Sequence, residues 1–277
     1  MNYNNWLIYA TLRLTKSNTP RLDSEILLSF VIKKTKTFLL IFHETELTII
    51  QSEQLERLLI RRENGEPISY LIGKREFWSL SFFVSSNTLI PRSDSERLIE
   101  LALQYLPNTP CHILDLGTGC GSLALSLASE RLDCIITGID ILSSVLSVAL
   151  YNMKKLKITN VKFLKSNWFN SLSNKRFSLI MSNPPYIDIN DIHLTKGDVL
   201  FEPKNALISK KKGLADLATI IYNAPKFLKS KGWLLLEHGW KQGSSVRTLF
   251  LFIGFLKVTT YYDYGNNERV TVGYWPY

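Results

Sequence analysis

The sequence predicts an α/β protein, a mostly parallel sheet with helices on both faces, preceded by a small bundle of helices. Three observations carry this expectation. Apolar runs of strand length, "CHILDL", "CIITGID", "VKFLKS", "FSLIMS" and "WLLLEHG", follow one another with helical segments among them. Strands alternating with helices build parallel sheets buried on both faces. A turn rich in glycine, Gly117 to Gly121, joins the first of these strands to the next helix. Residues 3 to about 62, by contrast, carry helical periodicity throughout.

In the helical region, Thr19-Pro20 offers a helix start, and Leu22, Ile26 and Phe30 recur with neighbouring aliphatics at helical spacing. Further on, Leu55, Leu58 and Leu59 form a stripe opposite Glu53, Glu56 and Arg57. Such stripes read as core, and no catalytic constellation accompanies them. From Gly65, "GEPISYLIGKREFWSLSFFVSSNTLIPR" mixes aromatic, aliphatic and turn residues, which suggests a short hairpin or extended connector. "PRSDSERLIELALQYL" reads as a helix, and so do "SLALSLASER", "ILSSVLSVALYNMKKL" and "LADLATIIYNAPKFL". "FLKVTTYY" and "RVTVGYW" close the chain as an antiparallel hairpin, making seven strands in the sheet. The irregular stretch from Ile187 to about Gly213 is long enough for a lid or partner-binding loop containing short helix. The expected boundaries are a helical domain at 1–72, a connector at 73–92 and an α/β domain at 93–277.

Composition narrows the class. With 277 residues, 45% hydrophobic and 21% charged, the chain suits one large or two modest globular domains. Its longest apolar runs, "LFLFIGFL" and "ILLSFVI", fall short of the roughly 18 residues a membrane span needs. The start, "MNYNNWLIYATLR", lacks the pattern of a signal peptide. Cys111, Cys120 and Cys134 form no CxxC pair, so neither a disulfide framework nor a zinc site is expected, and a reducing cytoplasm fits. The net charge of +9 favours acidic partners such as nucleic acid or a ribonucleoprotein. A general richness in Lys, Asn and Ile accounts for it equally well.

Two stretches carry chemistry. In "ILDLGTGCGSLALSLA", Gly117, Gly119 and Gly121 let backbone turn tightly and approach a ligand, with Thr118 and Cys120 between them. The spacing is GxGxG rather than the GxGxxG of dinucleotide binders. Asp140 closes the next strand, 19 residues after Gly121, where an acid can accept both hydroxyls of a ribose. A helix N-cap is its alternative role. Together they point to an adenosine-containing cofactor. "NPPY", Asn183 to Tyr186, ends the fourth strand, which lies beside the first in a doubly wound sheet. By itself it is a turn. Facing a cofactor, the Asn183 side-chain oxygen and the Pro184 carbonyl can accept the two N–H bonds of a planar amine or amide. Pro184 and Pro185 stiffen the corner, and Tyr186 offers a ring to the flat group. Orientation of this kind supplies much of the rate for attack on an electrophilic methyl. His238 reads as a structural histidine, because this chemistry needs no base. No GxSxG, HExxH or P-loop occurs.

"GEPISYLIGKREFW", "LIPRSDSE", "LDLGTGCG", "SNPPYID", "FEP", "LLLEHGW" and "DYGNNERVTVG", in this order, resemble the peptide chain release factor glutamine methyltransferase family over nearly the whole chain. The resemblance implies a Rossmann-like class I S-adenosylmethionine-dependent methyltransferase domain and a helical amino-terminal domain that grips the substrate. It implies S-adenosyl-L-methionine as cofactor, no metal, and class 1 release factors near the ribosome as partners, methylated at the glutamine of Gly-Gly-Gln. Neither a nucleic-acid substrate nor a membrane is expected. Carried over by position, Gly117 to Gly121 would wrap the methionine portion, Asp140 hold the ribose and Trp168 border the adenine. Asn183 to Tyr186 would take the glutamine amide, with Asn183 also near the cofactor's methyl end and Leu89 and Ile90 as an apolar wall. Two departures stand out: Asn167 replaces the family's usual acid, and Ser93 its usual proline. An exocyclic-amine methyltransferase acting on DNA or RNA is the alternative enzyme, since the same corner suits those amines. A catalytically dead scaffold is the alternative of another class.

Overall fold

The computed structural model describes residues 1–173 and 175–277. The chain divides into two compact units, one of Met1–Lys74 with Thr195–Phe201, the other of Arg75–Leu194 with Glu202–Tyr277.

The first unit contains helices α1 (Tyr3–Arg13), α2 (Pro20–Ile32), α3 (Lys36–Ile41), α4 (Ile49–Glu63) and α5 (Ile68–Ile72). Their starts follow from the local sequence. The Asn2 side chain accepts the Asn5 N–H at 2.9 Å, Pro20 opens α2, and Thr48 with Gln51 forms a reciprocal capping box on α4. Trp6, Leu7, Leu27, Leu28, Leu55 and Leu59 make the core, and the expected stripe of Leu55, Leu58 and Leu59 is buried. The face expected for α2 is corrected. Leu22 and Phe30 are exposed, and the buried side carries Asp23, Ser24, Leu27, Leu28 and Val31. Asp23 turns inward because it accepts Arg62 Nε at 2.7 Å and the Ser17 hydroxyl at 2.7 Å. The buried face also carries Ile32, so the paired carboxylate sits within an apolar face one position along from the line of Leu22, Ile26 and Phe30.

A two-stranded hairpin, β1 (Lys74–Phe77) and β2 (Leu80–Phe83), starts on the last residue of the first unit and otherwise belongs to the second, where α6 (Glu96–Tyr105) follows. Next come β3 (His112–Leu116), α7 (Ser122–Glu130), β4 (Ile135–Asp140), α8 (Ser143–Leu156), β5 (Val161–Lys165) and β6 (Phe177–Ser182). After two short turns, α9 (Lys204–Leu207) and α10 (Lys210–Gly213), the chain forms α11 (Ala215–Asn223), β7 (Leu228–Glu237), α12 (Gly243–Ile253), β8 (Leu256–Tyr262) and β9 (Glu268–Trp275). The helix expected to run through Leu228 stops at Asn223. Pro225 then sits in a 3-10 turn, and strand β7 starts five residues before the expected Trp233.

The seven strands lie in the order β5-β4-β3-β6-β7-β9-β8, parallel as far as β7, with β9 antiparallel to both neighbours. Alternate residues enter two cores. Ile113, Leu179, Met181 and Leu235 pack with α6 and α7, whereas Leu114, Ile180, Leu234 and Leu236 pack with α11 and α12. This is the class I methyltransferase arrangement, with both faces of the sheet covered as its continuous apolar runs require.

Candidate active site

Parallel strands end at one edge, and the chain changes direction at β3, which pairs with β4 on one side and β6 on the other. A crevice opens at such a switch point. Here it is a cavity of about 280 Å³ lined by Gly117 and Gly119 after β3, Asp140 at the end of β4, Trp168 after β5, and Asn183 and Pro185 after β6. Gly119 adopts φ +57°, and a Cβ placed there would meet no atom within 4 Å, so its backbone faces open space. The Gly119 N–H donates to Asp140 Oδ2 at 3.2 Å, and the Leu142 N–H to Oδ1 at 3.1 Å. Asp140 therefore braces the glycine loop, and the helix cap falls to Leu142, just before α8. Burial raises the Asp140 carboxyl from its ordinary value.

Thr118, Cys120 and Gly121 are buried and do not line the cavity. Thr118 Oγ1 donates to Asp115 Oδ2 at 2.6 Å, and the Cys120 carbonyl accepts Asn152 Nδ2 at 2.9 Å. Asp115 is fully buried, and burial pushes its carboxyl up to about 7. Trp168 is held at φ +46°, its carbonyl accepting the Ser166 hydroxyl at 2.6 Å. Asn167 is exposed and also lines the cavity.

At the other corner, Asn183 Nδ2 donates to Ser95 Oγ at 3.0 Å, and Ser95 Oγ donates to Glu237 Oε2 at 2.6 Å. The Tyr186 hydroxyl donates to Glu237 Oε1 at 3.3 Å. Gln242 Nε2 donates to the Tyr186 carbonyl at 2.9 Å, which holds the corner from its far end. Pro184 is buried, and neither it nor Tyr186 lines the cavity. Burial raises the Tyr186 phenol, and it pushes the Glu237 carboxyl up to about 7. Of the expected apolar wall, Leu89 lines the cavity while Ile90 lies in the core, its N–H donating to Glu202 Oε1 at 3.0 Å. Glu202, in the irregular stretch, also pairs with Arg92 and so ties that stretch to the segment carrying Leu89.

His238 is fully buried, bonded to the Gly239 carbonyl at 3.0 Å and the Thr271 hydroxyl at 2.8 Å, and burial lowers its pKa. It is structural, as expected. Ser95, Glu237, Gln242 and Gly213 were not anticipated. The signals available were the acid of "LLLEHG", a carboxylate ending a buried apolar strand, and the place of Ser95 and Glu237 within the stretches "LIPRSDSE" and "LLLEHGW" that carry the family resemblance. Among the described residues, no group of three or more His, Cys, Asp or Glu could hold a metal ion.

Residues 5–73 match the family model described as PrmC N-terminal domain, and residues 107–250 the one described as methyltransferase domain. The chain is 55% identical to the release factor glutamine methyltransferase of Yersinia pestis over 275 residues, covering 99% of each chain. It is 52% identical to the enzyme of that name from Escherichia coli (strain K12), again covering 99% of each. A solved methyltransferase from Pyrococcus furiosus shares the fold, with a TM-score of 0.56 at 16% identity over 80% of this chain and all, 100%, of that one.

Proposed function

The chain belongs to the release factor glutamine methyltransferase family, and from that premise we propose that it methylates the glutamine side-chain amide in the Gly-Gly-Gln motif of class 1 peptide chain release factors, supporting translation termination. The cofactor is S-adenosylmethionine. The residues present suit it: open space over Gly119, and beside it a partly buried carboxylate at Asp140 able to accept ribose hydroxyls. When bound, the cofactor supplies an electrophilic methyl on a good leaving group.

In this reading Gly117 and Gly119 let the backbone approach the methionine portion, while Thr118, Cys120 and Gly121 shape the loop from behind. Asp140 takes the ribose, and Trp168 and Asn167 border the adenine. Asn167 accepts without charge assistance, which weakens that contact relative to an acid. On the substrate side, we assign one amide N–H to Asn183 Oδ1 and the other to the carbonyl of Pro184, whose ring is buried but whose chain neighbours Asn183 and Pro185 both line the cavity. Pro185 and Tyr186 hold the corner, and Leu89 covers it. The observation that carries the proposal is the Asn183 amide, whose nitrogen is tied to Ser95 while the residue lines the same cavity as Gly119 and Asp140. The substrate nitrogen needs no base, because the methylated amide cation loses its proton readily.

The helical unit we assign to docking of the release factor. We place the reaction in the cytoplasm near the ribosome, a setting that suits the net charge of +9. No helix among the described residues is long and apolar enough to cross a membrane.

The test is transfer of labelled methyl from S-adenosylmethionine to a purified release factor, to its Gly-Gly-Gln→Gly-Gly-Ala variant, and to duplex DNA. Label on the unaltered factor alone is expected. Label on DNA alone would sink the proposal.

A further inference from the structure

An asparagine side chain can present either end of its amide, and the NPPY corner does not itself choose which. The choice lies behind it. Ser95 and Glu237 are 4% and 1% exposed, so neither exchanges partners with bulk water. The Ser95 hydroxyl gives its proton to Glu237 Oε2 at 2.6 Å, leaving only lone pairs for Asn183. The donor end of the Asn183 amide is thus drawn back to Ser95 at 3.0 Å, and Oδ1 is left for the cavity.

We propose that Ser95 and Glu237 are positioning residues, the ionised Glu237 carboxylate acting through the Ser95 hydroxyl to fix Asn183 with Oδ1 toward the substrate amide. This rests on the acceptor role assigned to Asn183 above. The relay has a second polarity. A protonated Glu237 can donate to Ser95 Oγ, the Ser95 hydroxyl can then donate to Asn183 Oδ1, and the amide turns its NH2 into the cavity. Two donors then face each other, and the substrate amide is no longer held.

The groups around Glu237 decide where the reversal falls. Burial raises its carboxyl most. The Ser95 bond, the Arg269 charge on β9 and the Tyr186 bond lower it, and Asp94 raises it, leaving it at about 7. Arg269 is shared with Asp263 at 2.9 Å and Asp94 at 3.6 Å, so its charge is partly spent elsewhere. A carboxylate that works in its ionised form is competent above its pKa and loses function as pH falls through it. The kcat of methyl transfer should therefore carry an acid limb near pH 7.

The experiment measures kcat against pH for release factor methylation by the full chain and its variants, with S-adenosylmethionine affinity and thermal melting as controls. Glu237→Gln can still accept from Ser95 with its carbonyl and donate its NH2 to the Tyr186 hydroxyl. It should keep most of the rate at pH 8 and lose the acid limb. Ser95→Ala should lower kcat by about 100-fold at unchanged cofactor affinity, and Ser95→Thr should restore it. Wild-type kcat in Ser95→Ala would overturn the relay, as would an unaltered acid limb in Glu237→Gln. Wild-type transfer by Asn183→Ala would instead overturn the acceptor role of Asn183, and the relay with it. Should Ser95→Ala fail to fold, the paired pH profiles of wild type and Glu237→Gln decide alone.

Discussion

Asn183 and Asp140 line one cavity but are held differently, so their loss should register in different measurements. Asn183→Ala leaves the glycine loop untouched and removes an acceptor. Transfer should fall below detection while cofactor affinity, measured by calorimetry, stays near wild type. Asp140→Ala removes a carboxylate that accepts the Gly119 and Leu142 N–H groups. Cofactor affinity should weaken first, by about 1.5–3 kcal/mol, the usual worth of a hydrogen bond to a charged group. Equal loss of cofactor affinity in both variants would contradict this division. His238→Ala should cost about 1–3 kcal/mol in denaturant unfolding and spare kcat, because the ring is bonded to Gly239 and Thr271 and does not line the cavity. Asp140 and the NPPY corner were legible because strand ends in a parallel sheet converge. Ser95 and Glu237 were not, since 142 positions separate two residues whose meaning lies in their contact.

Among elements, the segment through α10 shows how backbone is shaped to serve the corner. Lys211 and Lys212 are left-handed, so α10 is a turn rather than true helix, and Gly213 follows at φ +81°. A Cβ at Gly213 would stand 2.0 Å from the Tyr186 carbonyl oxygen. Only glycine permits that approach. Ile187 and Ser209 add backbone bonds alongside, Ile187 N–H to the Leu207 carbonyl at 2.9 Å and Ser209 N–H to the Ile187 carbonyl at 3.0 Å. Gly213→Ala should destabilise the fold by about 1–3 kcal/mol, seen in thermal melting. It should also lower kcat more than cofactor affinity, because the displaced atom belongs to NPPY. Strands and most helices were legible from periodicity. The buried face of α2 was not, because Leu22, Ile26 and Phe30 share their helical spacing with Asp23, Leu27 and Val31, and only packing selects between the two rows.

At the scale of the molecule, two apolar cores flank one sheet, and the cavity opens where the parallel strands end. In the helical unit, α3 and the first turn of α4 leave Leu40, Ile41, Ile49 and Ile50 largely exposed, at 71%, 65%, 80% and 76%. Their exposure makes these aliphatics the first to test for the docking we propose for this unit. Changing these four to serine should raise KM for the release factor while kcat at saturation and cofactor affinity hold. An unchanged KM would remove docking from these residues. The sequence by itself determined the alternation of strands and helices, the glycine turn, and the acid and NPPY at strand ends, because each is a local pattern or a short spacing. Only the tertiary structure decided that Ser95 and Glu237 stand behind Asn183, that Gly213 underlies Tyr186, and that Glu202 holds Ile90 and Arg92. Those contacts join residues distant along the chain, and no periodicity records which buried polar groups packing will bring together.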